Sequence, residues 1–137
     1  MIEIIRKIRE NNITLPFDTY FCFTVREEVG LSGARVADVG SGGVISLMDR
    51  STIYDTEFVN FTLNTAKNNE IKAQVKRYVS GGNDAGHIHK SGKGVKCVAI
   101  SMGTRYLHSP ACVASIEDYE SIRELVFAML KNMKAEV

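Results

Sequence analysis

The stretch "VISLMDRSTIYDTEFVNFTLNTAKNNEIKAQVKRYV" fills residues 44–79, and its reading decides the fold. It opens on an apolar run, Val44 to Asp49, that ends in an acid and reads as a strand. Asp55 comes next, a residue whose carboxylate can accept from the free N–H groups of a helix's first turn. The spacing after it predicts a helix from Thr56 to Asn68, with Phe58, Val59, Thr62, Leu63 and Ala66 on one face. "QVKRYV", Gln74 to Val79, then alternates as a strand does.

Outward from this unit the alternation continues. Met1 to Asn11 carries Met1, Ile5 and Ile8 at helical spacing between charged residues, an amphipathic helix that Pro16 separates from the next segment. Phe17 to Val25 is aromatic and β-branched, a predicted strand. "VKCVAISM", Val95 to Met102, reads as a near-continuous apolar strand, as in a sheet covered on both faces. Ser115 and Asp118 predict a capping box for a last helix whose stripe is Ile122, Leu125, Val126, Met129, Leu130 and Met133. "GSGG", residues 40–43, has the composition of a flexible linker and lacks the Lys-Ser/Thr ending of a P-loop. The whole predicts one α/β domain over residues 1–137, a three-layer α-β-α arrangement around a mostly parallel sheet.

Bulk composition bounds the function. The chain has 137 residues, 45% hydrophobic and 24% charged, with 17 Lys and Arg against 16 Asp and Glu. That balance predicts no nucleic acid and no anionic membrane as partner. No apolar run nears the roughly 20 residues of a membrane span, and the charged N-terminus is no secretory signal. Cys22, Cys97 and Cys112 form no CxxC and are expected to be buried free thiols in a reducing cytoplasm.

In open α/β sheets, ligands bind outside the carboxyl ends of the strands. The predicted strands run into Glu27-Glu28, Asp49, Gly81-Gly82-Asn83-Asp84, and "GTRYLHSP" with Arg105 and His108. If the strands are parallel neighbours, these groups share one edge, where carboxylates and a histidine suit a divalent metal. Each piece alone has a plainer reading. The Glu pair reads as a solvated turn and Asp84 as an N-cap. Asp49 can cap the turn at "DRST", Arg105 can serve as a structural ion-pair partner, and His87 and His89 point apart on a helix.

Taken in order, "EEVGLSGA", "SGGNDAGHIH" and "TRYLHSP" resemble the glutamyl, or deblocking, aminopeptidases. These co-catalytic metallopeptidases form tetrahedral dodecamers and are often labelled cellulase or endoglucanase. The resemblance implies the zinc aminopeptidase fold in truncated form, covering the C-terminal part of its catalytic domain. It implies cytoplasmic hydrolysis of N-terminal residues from short peptides by a metal-activated water, and a homo-oligomer. Glu27 matches the family's general base, and Glu28 and His108 match ligands to one metal, which would be zinc, cobalt or manganese. Asp38 is the candidate for a further ligand from the shortened region after the Glu pair. Arg105, Gly82, Asp84 and His87 would face substrate, and Asn83 stands where the family usually has Thr. A His and a bridging Asp ligand, with the inserted dimerisation domain, are expected to be missing, so the chain alone is expected to lack ordinary turnover. The competing expectation is a non-catalytic α/β scaffold or self-association domain with a vestigial site. A glycan hydrolase is disfavoured, because the two carboxylates are adjacent rather than opposed and Trp is 0.

Overall fold

The computed structural model describes residues 1–22 and 37–134. The chain runs through α1 (Ile2–Glu10), β1 (Gly43–Ser46), α2 (Thr56–Asn68), β2 (Ala73–Val75), α3 (Ala85–Ile88), β3 (Ala99–Ser101), β4 (Thr104–Arg105), β5 (Val113–Ala114) and α4 (Ile116–Asn132). The α/β class read from the alternation is the one observed.

The unit over residues 44–79 forms strand, helix and strand in the order read, but the strand read over Val44–Asp49 ends at Ser46 and the one read over Gln74–Val79 pairs only through Val75. Asp55 caps α2, its Oδ1 accepting from the Phe58 N–H at 2.8 Å, so the helix starts at the residue the cap implies. Val59, Thr62, Thr65 and Ala66 are its buried residues. The chain returns as β2, parallel to β1, with Gly43 opposite Ala73 and Ile45 opposite Val75. Gly42 makes the entry to β1 possible. Its φ is +88°, and a Cβ there would lie 2.1 Å from the Lys72 carbonyl oxygen.

β3 lies on the other side of β1 and is antiparallel to it, Val44 facing Ser101 and Ser46 facing Ala99, so the three-stranded sheet is mixed, in the order β2-β1-β3. A second, two-stranded sheet pairs β4 with β5. All four residues of β1 are buried. Ile45 packs in a cluster with Tyr54, Val59, Ala66, Leu125 and Met129, so α2 and α4 meet over its face of the strand. Burying such a side chain stabilises the fold by about 1.5–3 kcal/mol. α1 docks on α4 through Ile4, which is buried, and through the Lys7 ammonium 4.4 Å over the Phe127 ring.

Several expectations change. Residues 17–22 form no strand, for nothing in the described chain pairs with them; residues 23–25 of that run lie outside the described residues. The run at residues 95–102 pairs only over Ala99–Ser101, because Cys97 gives its carbonyl to the Asp55 N–H instead. The capping box does not form. Ser115 is the N-cap of α4 but makes no side-chain cap bond, while Asp118, fully buried, accepts from Gly40 N–H at 2.7 Å and Gly42 N–H at 2.6 Å. Two N–H groups in the Gly-rich turn need an acceptor, and a carboxylate is the strongest available. The "GSGG" stretch is therefore an anchored turn and not a linker. The cysteines are free, but Cys22 and Cys112 are exposed and Cys97 half-buried; the runs that carry Cys22 and Cys97 form less strand among the described residues than expected.

Candidate functional site

The mixed sheet sorts the polar residues onto two ends. β1 and β2 are parallel, so their carboxyl ends share one edge, as expected. β3 runs the other way, so the chain after it reaches the start of β1, where Arg105 donates to the Ala37 carbonyl. One shared edge for all four strand ends is thus not what forms. The reason is that an apolar run carries no strand direction.

At the carboxyl edge, Asp49 is the centre. It is 6% exposed, and its carboxylate is fully engaged. Oδ1 accepts from Ser51 N–H at 2.8 Å, Ser51 Oγ at 2.9 Å and Thr52 N–H at 2.9 Å, which is the turn cap read from "DRST". Oδ2 accepts from Tyr54 Oη at 2.5 Å and Asn83 Nδ2 at 3.3 Å. Burial alone would raise the Asp49 pKa, but the bonds from Tyr54, Ser51 and Thr52 outweigh it and hold the carboxyl below the usual range. Burial, then the bond to Asp49, push the Tyr54 phenol far above its ordinary value. Lys76, half-buried, donates from Nζ to the Ser80 carbonyl at 2.5 Å; burial lowers its pKa, with Asp49 opposing.

The Gly81–Gly86 turn, residues 81–86, rests on this centre. Gly82 is exposed, and Gly86 sits so close to Ser51 that a Cβ would lie 2.6 Å from its Oγ. Asp84 occupies the N-cap position of α3 but makes no side-chain cap bond; Asn83 Oδ1 accepts from Ala85 N–H at 2.9 Å instead. His87 is exposed on α3, and His89 is half-buried with Nδ1 2.7 Å from the Ala85 carbonyl.

At the opposite end, Arg105 lies in β4 and donates from Nη1 to the Ala37 carbonyl at 3.2 Å and the Thr104 carbonyl at 3.1 Å. His108 is exposed in the β4–β5 turn with φ 64°, as is Tyr106 with φ 60°. Left-handed backbone at two non-glycine residues costs about 1–3 kcal/mol each, a concentration of strain typical of functional segments. Asp38 is ion-paired with Arg77, and its backbone is clamped by Gln74, which accepts from Asp38 N–H at 2.9 Å and donates to its carbonyl at 2.7 Å.

Glu27 and Glu28 lie outside the described residues. Within the described chain, no three His, Cys, Asp or Glu stand close enough to hold a metal ion. Asp38 is committed to Arg77, so the described donors do not by themselves close a metal site. A cleft of about 310 Å³ beside Glu70, Glu117 and Glu124 is lined by no residue of the two motifs that lie within the described residues. Sequence reading missed Tyr54 and the clamping roles of Gln74 and Asp118, none of which carries a local motif.

Comparison with known proteins agrees with the motifs. The model of the M42 glutamyl aminopeptidase family matches residues 1–39 and 35–125. A putative aminopeptidase of Acetivibrio thermocellus is 34% identical over 80% of this chain and 42% of its own length. The crystal structure of a TET aminopeptidase from a marine sediment archaeon of the Thaumarchaeota superposes with a TM-score of 0.89 at 28% identity, over 97% of this chain and 45% of that one. The Pyrococcus horikoshii TET1 peptidase, which can assemble into a tetrahedron or a large octahedral shell, matches with a TM-score of 0.64 at 25% identity, over 82% of this chain and 31% of that one. The chain thus spans less than half the length of these relatives.

Proposed function

This chain belongs to the M42 glutamyl aminopeptidase family, and from that membership we propose that it is part of a metal-dependent aminopeptidase acting on short peptides. The observation that carries the reading is the family match across residues 1–125, which includes all three motifs. In this reading Glu28 and His108 are metal ligands, and Glu27 takes a proton from the attacking water. A divalent ion, when bound, makes such water acidic enough to serve near neutral pH. Arg105, Gly82, Asp84 and His87 face the peptide. Two protein ligands are fewer than the three of ordinary catalytic zinc sites, so this chain needs further donors for turnover. Assembly of the whole protein into a closed shell, and a cytoplasmic location, belong to the same proposal; no helix among the described residues is long and apolar enough to cross a membrane.

The test is bound metal per chain, titrating zinc, cobalt and manganese into chelator-stripped protein. The expected result is one weakly held ion, lost in the Glu28→Ala/His108→Ala variant. Binding that survives loss of both side chains would overturn the assignment. A second reading, a non-catalytic scaffold with a vestigial site, is favoured by the ion pair that ties up Asp38. It predicts no specific ion at all, and persistent self-association in solution.

A further inference from the structure

The family match comes in two pieces, residues 1–39 and 35–125, which meet on residues 35–39. Residues 37–42 begin inside that join and lead into β1, and they are held by side chains from β2, β4 and α4. Gln74, in β2, accepts at Oε1 from Asp38 N–H at 2.9 Å. Its Nε2 donates to the Asp38 carbonyl at 2.7 Å and to the Gly42 carbonyl at 3.3 Å. The side-chain amide thus exchanges bonds with Asp38 as a peptide group of a neighbouring strand would, and it spans the turn from Asp38 to Gly42. Asp118, in α4, accepts from Gly40 N–H at 2.7 Å and Gly42 N–H at 2.6 Å. Arg105, in β4, donates from Nη1 to the Ala37 carbonyl at 3.2 Å. Arg77 pairs with the Asp38 carboxylate.

The run Gly40-Ser41-Gly42-Gly43 has little conformational preference of its own, and Gly40 and Gly42 stand at φ +89° and +88°. Its contacts therefore decide its shape. The sense of the Gln74 amide is fixed as well. The Asp38 N–H can only donate and the two carbonyls can only accept, so the amide oxygen must face the first and the nitrogen the others. A side chain of this length without both functions leaves at least one of these backbone groups unanswered.

We propose that Gln74 is a positioning residue whose amide locks residues 38–42 into a single latch, fixing the chain that leaves the Glu27-Glu28 segment against β2, β4 and α4. Arg105 ties the same latch to the strand that leads into the His108 turn, so the latch sets the spacing of the two motifs. The bearing of that spacing on metal binding rests on the function proposed above; the latching itself does not.

Amide hydrogen exchange of the intact chain tests it. Gly40 N–H is the reporter, because it bonds Asp118 and not Gln74. Val59 N–H, bonded to the Asp55 carbonyl in α2, is the control for global opening. Losing one hydrogen bond corresponds to about two- to tenfold in a local opening equilibrium. Gln74→Ala and Gln74→Met are each expected to speed exchange at Gly40 by at least that factor, with Val59 unchanged. Met keeps the length of Gln and loses its hydrogen bonds. Gln74→Glu is expected to behave like them, because its carboxylate can accept from Asp38 N–H but has no proton for the two carbonyls. Unchanged Gly40 exchange in Gln74→Ala overturns the proposal. So does parent-like exchange in Gln74→Met, which would reduce Gln74 to a packing residue. If Gln74→Ala fails to fold, Gln74→Met decides alone. Zinc titration of the chelator-stripped chain adds a second readout. Gln74→Met is expected to weaken zinc binding by a similar factor while Val59 exchange stays at the parent rate. Equal zinc affinity in parent and variant overturns the link from latch to motif spacing. A parent chain that binds no zinc sinks the peptidase reading instead, and Gly40 exchange then decides the latch.

Discussion

Replacing Asp118 tests the central departure of the structure from the sequence. Asp118 is 0% exposed and its two oxygens accept from Gly40 N–H at 2.7 Å and Gly42 N–H at 2.6 Å. Asp118→Ala removes two hydrogen bonds to a charged group and leaves two backbone donors unpaired, the one at Gly42 buried. A hydrogen bond to a charged group contributes about 1.5–3 kcal/mol, and an orphaned buried donor costs about 1–3 kcal/mol. The two descriptions overlap and should not be summed in full, so a loss of about 3–5 kcal/mol is expected. For a domain of this size that corresponds to a fall in Tm of roughly 10–20 °C. Asp118→Asn is no rescue, because its amide nitrogen would face one of the two N–H groups as a second donor. Ser115→Ala is the contrasting variant. A true capping box would make it cost about 1 kcal/mol, whereas a cap without a side-chain bond should cost under about 0.5 kcal/mol. Urea unfolding followed by circular dichroism measures all three. An Asp118→Ala loss below about 1 kcal/mol, or a Ser115→Ala loss as large as it, would refute the anchoring of the Gly-rich turn.

Two further outcomes rest on burial and charge. Leu125, 0% exposed in the cluster around Ile45, should lose about 2–5 kcal/mol on truncation to Ala, read from the same urea curves. Asp49 is ionised more readily in the folded chain than its ordinary value of 3.8 implies, so its stabilising contribution is complete above that value and is lost as pH falls through the lower folded one. Asp49→Asn should therefore flatten the decline in urea midpoint as pH falls below 3.8. A decline as steep as in the parent chain would show that other carboxylates carry it.

How much of this was legible in the sequence depends on the range of the interaction. α2 and its Asp55 cap were legible because cap and helix lie three residues apart. α4 and α1 were legible from periodicity, although Ile4 and not Met1 or Ile5 is the buried residue of α1. β3 was placed but overextended, and its direction was invisible, since direction is set by which partner the strand finds. Asp118 shows the sharper limit. Its local spacing from Ser115 suggests a cap, yet the carboxylate is claimed by N–H groups 76 and 78 residues away. The three motifs of the candidate site were legible as residue types in order. The separation of Arg105 from the Gly81–Gly86 turn by the antiparallel β3 was not, and neither was the Tyr54 bridge between Asp49 and Asn83.

The two described motifs are each held by long-range hydrogen bonds. The "TRYLHSP" segment is held at the start of β1 through Arg105 and Ala37, the first described residue after the Glu27-Glu28 segment. The Gly81–Gly86 turn is held at the end of β1 through Asp49, Tyr54 and Asn83. Both ends of one short strand are therefore fixed by side chains distant in sequence, Asp118 at its start and Tyr54 with Asn83 at its end, and no local motif announces either.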